Sequence, residues 1–533
     1  MPAAASAMQL FGASSDWNVT WDNTVALGAT YRLHDGDPKL LNSFSASGIP
    51  QALNFNAGDQ NFQKRGFVSE RVSDYTQLDA VYHHDAGFRI SGDGWYDAAY
   101  HGSTDATDPF VGQSPINRFP NSTVTQAGQG AELLDAFVFG HRHVGDGVLG
   151  VHLGQYALQY GESLFFGDNG IAAAQSPIDI YKLLSSPNAQ FNEIIRPVPQ
   201  LSATWVINPS VTIGGYYQFK WVPDRLPPSG SYFSTANIPW GASQPEFLGI
   251  PPGSPIAGNY VLNPAAEHDP GNSGQFGAEL KWNVGQAQVG FYAAQFHAKD
   301  GQLYGALNVF NPAQSSWYYV FPKDIRTAGV SVSRTFGALN LAGEASIRTN
   351  MPLNTANIVY PEQFSAQPAY PTGKTAHVNL SWIYSVGPNF IAPSATFVGE
   401  LAWNRVLSMS DPDHQINPSS TRDATAIQLL YTASYTQVLP GLDLNVPVGL
   451  RYTLSGFSSV TAWGGPHDGT LTLGLNGLYQ QKWNIALQYA HYIGATIPFV
   501  DYTPLLRGGT PDLGAGNPLA DRDYVSLELS RTF

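Results

Sequence analysis

Along most of the chain apolar and polar side chains alternate one by one, and the alternation breaks only at clusters of glycine, proline, asparagine and aspartate. In residues 211–221 one face reads Val211, Ile213, Gly215, Tyr217, Phe219 and Trp221, while the other reads Thr212, Gly214, Tyr216, Gln218 and Lys220. In residues 275–282 Phe276, Ala278, Leu280 and Trp282 oppose Gln275, Gly277, Glu279 and Lys281. The same split recurs in residues 338–348, 375–384, 442–454 and 470–479. A period of two belongs to a β-strand with unlike faces, whereas an amphipathic helix repeats near 3.6. About eighteen such segments follow one another.

The connectors between them are alternately short and long. Short ones fall at residues 84–86, 144–147, 208–210, 284–286, 336–337, 385–389, 437–441 and 480–482; the largest of the long ones are 32–66, 161–196 and 223–274. Tight turns on one rim and long loops on the other are the asymmetry of an outer-membrane barrel, with the turns in the periplasm. The pattern therefore predicts an all-β fold: a single transmembrane antiparallel β-barrel of about 18 strands. Both chain ends fall on the periplasmic side, and the strand at 17–31 closes against the one at 523–533. In that last strand Val525, Leu527, Leu529 and terminal Phe533 share one face. Aromatics near strand ends (Trp17, Trp21, Tyr31, Tyr96, Trp205, Trp221, Trp282, Trp382, Trp403, Trp483) suit the girdles at the two membrane interfaces. Pro447 cannot donate a ladder hydrogen bond, so a bulge or pairing defect is expected there.

Composition supports the same class. Only 12% of the 533 residues are charged, about half the usual soluble share. No run approaches the roughly 18 apolar residues of a membrane-spanning helix, and mean hydropathy is -0.16. Cysteine is absent, which removes disulfides and thiolate chemistry. With 26 basic against 40 acidic residues there is no basic footprint for a nucleic acid. Residues 1–16 open with small Ala and Ser residues but no apolar core, and are expected to be a processed end outside a barrel of residues 17–533.

Candidate chemistry lies in the lumen and the loops. The inward faces carry Arg89, Asp93, Asp97, Asp135, Glu279, Lys281, Glu344, Arg348, Glu400, Asp443 and Arg451. With both signs interleaved, pairing across strands or binding of water is the first expectation, and a track for polar head groups the second. The fourth loop holds Tyr232, Phe233, Trp240, Phe247, Leu248 and Tyr260 with few charges. Such residues pack as a lid or line a ligand cleft, since apolar pockets with few polar groups are the usual small-molecule sites. Those six side chains, with Lys220, Lys281 and Arg348 below them to steady a head group, are the candidate ligand-binding residues. In the third loop Ser176-Pro177-Ile178-Asp179 reads as a helix start capped by Ser176, continuing through Ile180, Tyr181, Leu183 and Leu184. Loops 161–196 and 223–274 are expected to fold inward as plug or lid. No nucleophile elbow, zincin motif, P-loop or dinucleotide fingerprint occurs, so no catalytic residue is assigned and no cofactor is expected. The acidic pairs Asp35/Asp37, Asp105/Asp108 and Asp411/Asp413 lack the spacing of a Ca²⁺ loop, and no metal site is assigned.

Several ordered blocks carry a resemblance. AELLDAFVFGHRHVGDGVLGVHLGQYALQYGES (131–163), RPVPQLSATW (196–205), GSYFSTANI (230–238), PKDIRTAGVSVS (322–333), VLPGLDLNVPVGLRY (438–452) and TYRLHDGDPKLLN (30–42) resemble the domain of unknown function 1302 family of proteobacterial outer-membrane proteins. The resemblance implies an outer-membrane barrel, often encoded beside genes for degrading sterols, sphingoid bases and other hydrophobic compounds. It supplies no catalytic residues. The expected function is uptake of hydrophobic or amphipathic small molecules across the outer membrane. A role in lipid export or envelope maintenance, and a structural or adhesin barrel, are the alternatives. Expected partners are the small molecule, outer-membrane lipid and lipopolysaccharide, the barrel assembly machinery, and a periplasmic carrier; no nucleic acid is expected.

Overall fold

The computed structural model describes residues 8–9, 16–41, 57–106, 117–186, 191–236, 239, 242, 245–250, 257–355, 359–361, 370–410, 416–501 and 512–533. Eighteen antiparallel strands form one closed barrel. They are β1 (Trp17–Arg32), β2 (Gly66–Tyr82), β3 (Ala86–Asp97), β4 (Gln129–Val144), β5 (Gly147–Tyr156), β6 (Val198–Asn208), β7 (Val211–Gln218), β8 (Phe276–Val284) and β9 (Ala287–Phe296). The second half comprises β10 (Ile325–Phe336), β11 (Leu339–Pro352), β12 (Thr372–Val386), β13 (Ser394–Met409), β14 (Asp423–Leu439), β15 (Leu442–Ser455), β16 (Gly469–Tyr479), β17 (Trp483–Ile493) and β18 (Tyr524–Thr532). Each pairs with the next, and β1 closes on β18 from Thr24↔Thr532 to Arg32↔Tyr524; the long connections β1–β2, β3–β4 and so on to β17–β18 are loops 1 to 9 in chain order. The fold class and the closing pair expected from the alternation are those observed.

The barrel is inside out relative to a soluble protein. Leu133, Val138, Trp282, Ile347 and Leu527 are exposed on the outer wall, while Thr375, His377, Asn379 and Glu400 are buried on the inner one. The outer face meets lipid and needs no protein partner, whereas lumen side chains are covered by loops that fold into the barrel. This wall of alternating residues, closed by the pairing of β1 with β18, is the structure of an outer-membrane protein.

Local details refine the expectations. Along the β15–β16 ladder, pairing stops at Asn445↔Asn476 and resumes at Val448↔Leu473 without a change of register, so Pro447 causes a pairing gap and not a bulge. Met8 and Gln9, within the segment expected to lie outside the fold, pair with Trp21 and Thr20 along the part of β1 that extends past Phe533. Trp221, expected in a membrane girdle, is instead buried under loop 5: its indole donates to the Ala298 carbonyl at 3.0 Å and its ring meets Phe321 at 4.7 Å. The strand ends at Gln218, so Trp221 no longer follows the outward face.

Loops 4, 5 and 6 together build a second, mixed sheet outside the barrel, in the order 359–361, 302–307, 315–320, 258–264, 246–250. Its two parallel joints, 258–264 with 315–320 and 302–307 with 359–361, link segments from different loops. Period-two reading identifies such strands one at a time but does not pair them.

Candidate functional site

The third loop leaves the barrel at Tyr156 and returns at Val198, yet its central residues bind the wall on β11, β12 and β13. It therefore crosses the lumen. Glu344 of β11 accepts from the Glu162 N–H at 2.6 Å, the Ser163 hydroxyl at 2.6 Å and the Ile171 N–H at 3.0 Å. Arg348, two pleat repeats above on the same face, donates to the carbonyls of Asp168, Asn169 and Gly170 at 3.0, 2.9 and 2.8 Å. Glu400 of β13 accepts the N–H groups of Leu164 (3.1 Å), Phe165 and Phe166 (2.9 Å) on one oxygen, and the Asn379 amide on the other at 2.7 Å. A loop buried in a barrel has no water for its backbone, so buried wall charges take the place of a strand partner.

The loop sequence is shaped to these anchors. A Cβ at Gly170 would stand 2.1 Å from a Glu344 carboxylate oxygen, so only glycine admits the contact. Asn169 is held by Asn379, His377 and Asn404 at 2.7, 2.9 and 3.1 Å. Phe166 is fully buried, with Arg451 4.8 Å from its ring centre and Trp463 meeting it edge-on at 5.4 Å.

The fourth loop is fastened to the third and to the opposite side of the mouth. Asp224 accepts the Ile178 N–H at 2.6 Å, and Arg225 reaches Asp179 at 2.9 Å and also Glu132. Lys299 of loop 5 joins them, donating to the Ala173 carbonyl at 2.8 Å. Burial draws the Lys299 ammonium down to about 8, opposed by the Asp224 carboxylate. Burial and the neighbouring Asp300 hold the Asp224 carboxyl well above its ordinary range. Farther along, residues 229–234 lie against loops 1, 2 and 9: Asn61 and Thr123 bind the Gly230 and Ser229 carbonyls, and Arg522 binds those of Tyr232 and Ser234. Tyr232, Phe233, Phe62, Tyr100 and Phe119 form one aromatic core with Tyr524 of β18.

Among the residues expected to bind ligand, Tyr232 and Phe233 are thus brought together, both buried inside this core. Tyr260 is buried in the outer sheet, where its backbone pairs with that of Leu248, and Phe247 pairs with Val261. Trp240 lies outside the described residues. Lys220 is exposed beyond the end of β7, and Lys281 pairs with Glu279 at 3.1 Å. Arg348 is spent on loop 3. Cross-strand pairing was the first expectation for inward charges, and Arg89–Asp79 at 2.7 Å fits it. Glu344, Arg348 and Glu400 do otherwise, because a loop backbone competes for them. The crowded glycines of loop 3 were the available signal.

The short helix in loop 3 begins later than its sequence suggests. It spans Ile180–Ser185 and is capped by Asp179, whose carboxylate accepts the Lys182 N–H at 2.9 Å. Ser176 is unavailable as a cap because its hydroxyl binds Leu158, and Ile178 and Asp179 bridge to Ile195 and Arg225 as extended chain.

Solved structures similar to this chain share little of its sequence. Acinetobacter baumannii OccAB1 aligns over 97% of this chain and 96% of its own, with TM-score 0.44 and 10% identity. Pseudomonas aeruginosa opdK aligns over 97% and 98%, with TM-score 0.41 and 9% identity. No curated protein matches by sequence. The family model described as protein of unknown function (DUF1302) matches residues 1–533, and the chain, an outer-membrane β-barrel with an inward-folded loop plug, belongs to that family.

Proposed function

We propose that this protein is an outer-membrane channel for uptake of hydrophobic or amphipathic small molecules of lipid, sterol or aromatic type. The observation that carries the reading is the plug: a lumen of eighteen strands is crossed by an anchored loop and roofed by an aromatic core. An eighteen-stranded wall alone encloses a water-filled pore. Filling it with fastened loops suits a selective, low-flux route better than bulk exchange of hydrated solutes. Passage of this kind needs successive weak sites, because a channel must release what it binds. Insertion by the barrel assembly machinery, contact with lipopolysaccharide at the outer rim and delivery to a periplasmic carrier complete the proposal.

The test is uptake of a labelled sterol and of a labelled long-chain amphiphile by cells with and without the intact protein. A small hydrated sugar serves as the comparison. Protein-dependent uptake of the first two, with little sugar flux and small bilayer conductance, is the expected result. Large steady conductance with equal passage of the sugar overturns the reading.

A further inference from the structure

The wall itself is incomplete at one junction. β4 is bonded to β3 up to Tyr96↔Gln129, but its ladder to β5 ends at Ala136↔Gln155. Among the described residues, no strand therefore pairs with residues 129–135 of β4 on their β5 side. The Gln155 side chain replaces the next rung, donating from one amide nitrogen to the Leu133 and Leu134 carbonyls at 2.9 and 2.7 Å. Above Leu133 the Gln129 N–H is taken by the Val124 carbonyl, and among the described residues no other backbone bond reaches this edge of β4.

The ending of β5 is built in. Gly154 has φ +139°, and a Cβ there would lie 2.3 Å from the Ala136 carbonyl oxygen, so the strand turns away where only glycine can. The chain then goes inward: Leu158 and Tyr160 bond to Ser176 and Gln175 of the plug.

This gap lies at membrane height. Gln129 pairs with Tyr96, and Tyr96 with Val72, five residues below Phe67, whose ring meets Tyr31 near the outer ends of β1 and β2. From there the edge descends about 3.3 Å per residue along a tilted strand. Leu133 is exposed on the outer face. Unpaired backbone does not face lipid, and at membrane depth it is found only where it lines protein or a polar passage. On the lumen side of the same edge stands a charged lip: Glu132 with Arg225, Arg225 with Asp179 at 2.9 Å, and Arg196 at 3.9 Å from Glu132. Asp93, the cross-strand partner of Glu132, has one enclosed carboxylate oxygen with no hydrogen-bond partner among the described residues.

We propose that the β4 edge above Gln155 is a lateral portal through which a single-chain amphiphile passes between the lumen and the outer leaflet. The tail lies along Leu133, and a head group that donates hydrogen bonds, a hydroxyl or an amine, meets the carbonyls of the β4 edge, Glu132 and Asp93. This deepens the proposed function and rests on it: it supplies the route by which the molecule passes the plug.

The protein has no cysteine, so single thiols can be placed cleanly. Ala131→Cys and Leu133→Cys put one on the edge; Ile347→Cys puts one on β11 at a position paired on both sides, also facing lipid. Each inserted, heat-modifiable variant is reacted with a bulky maleimide, and uptake of a fluorescent long-chain alcohol and the corresponding amine is followed. Modification at either edge position is expected to slow uptake about tenfold, about 1.4 kcal/mol in barrier, while modification at position 347 leaves it unchanged. Uptake that is insensitive to edge modification overturns the portal and leaves the channel reading standing. Absence of uptake by the unmodified protein overturns both. Hydrogen exchange gives a readout independent of transport: fast exchange of edge amides in residues 130–133, against slow exchange around Ile347 of β11, is expected, and uniform protection overturns the proposal.

Discussion

Tyr232 and Arg522 hold each other from both ends: the phenol donates to the Arg522 carbonyl at 2.7 Å, and the Arg522 guanidinium donates back to the Tyr232 carbonyl. The pair ties loop 4 to loop 9 beside the β1–β18 seam. Arg522 also binds Asp59 of loop 1 at 2.9 Å and the Ser234 carbonyl at 2.7 Å, so three loops meet on one fully buried side chain. Asp59 is shared with Arg32 at 3.3 Å, which in turn binds Asp521 at 2.7 Å. A buried charge is tolerable only when its partners compensate it, and here each guanidinium meets both Asp59 and Asp521.

Removing those partners should release the lid without unfolding the barrel. Arg522→Ala leaves a buried carboxylate and two carbonyls short of donors, a cost of about 3–5 kcal/mol. Tyr232→Phe removes one hydrogen bond, about 1 kcal/mol. Limited proteolysis of loop 4 should therefore be fast in the first variant and close to parental in the second. Heat-modifiable migration on electrophoresis should be retained by both.

A second expectation concerns the plug. Glu400→Ala deprives three buried N–H groups of their acceptor, each worth about 1–3 kcal/mol when unmet. Loop 3 should leave the wall, and single-channel conductance in planar bilayers should rise above the parental value. Glu344→Ala should act in the same direction, because it frees the other end of the same segment. Parental conductance in both variants would show that these anchors do not hold the constriction.

Acidity should act on the junction of loops 8 and 9. Asp468 is buried, accepts the Gly465 N–H at 2.6 Å and lies against Gly494. Burial raises its carboxyl from 3.8 to about 6. The folded junction thus holds the proton more tightly than the open one. Its stabilisation is complete below about pH 3.8 and is lost as pH rises through about 6. Asp468→Asn, which stays neutral, should match the parent in thermal unfolding at pH 4 and exceed it at pH 8.

The outer wall makes its own prediction. Ile347 faces lipid on β11, and Ile347→Arg should destabilise the inserted barrel by about 2–4 kcal/mol if it lies near the bilayer centre. Unfolding by denaturant from lipid vesicles measures it. Asn340→Arg, at the turn end of the same strand, should cost much less because water is close.

The period-two alternation by itself determined the barrel, its strands and its closing pair. Each lipid-facing residue must be apolar and each neighbour must face the lumen, so Ile347 and Arg348 declare their sides without reference to any other strand. Alternating connector lengths likewise settled which rim carries the turns. Only the tertiary structure decided what the inward charges do. Glu344 and Glu400 look like members of cross-strand pairs until loop 3, far away in the chain, brings unpartnered N–H groups to them. The same holds for Ser176, which has the form of a helix cap but is already engaged by Leu158, and for Trp221, which leaves its strand's outward face one turn after the ladder stops. The aromatic content of loop 4 was plain in the sequence, but its packing was not, because Tyr232 and Phe233 are buried by Phe62, Tyr100 and Tyr524 from other loops and from β18. Alternation is a local property that each residue carries with its two neighbours; pairing between loops depends on which chain segments the closed wall happens to bring face to face.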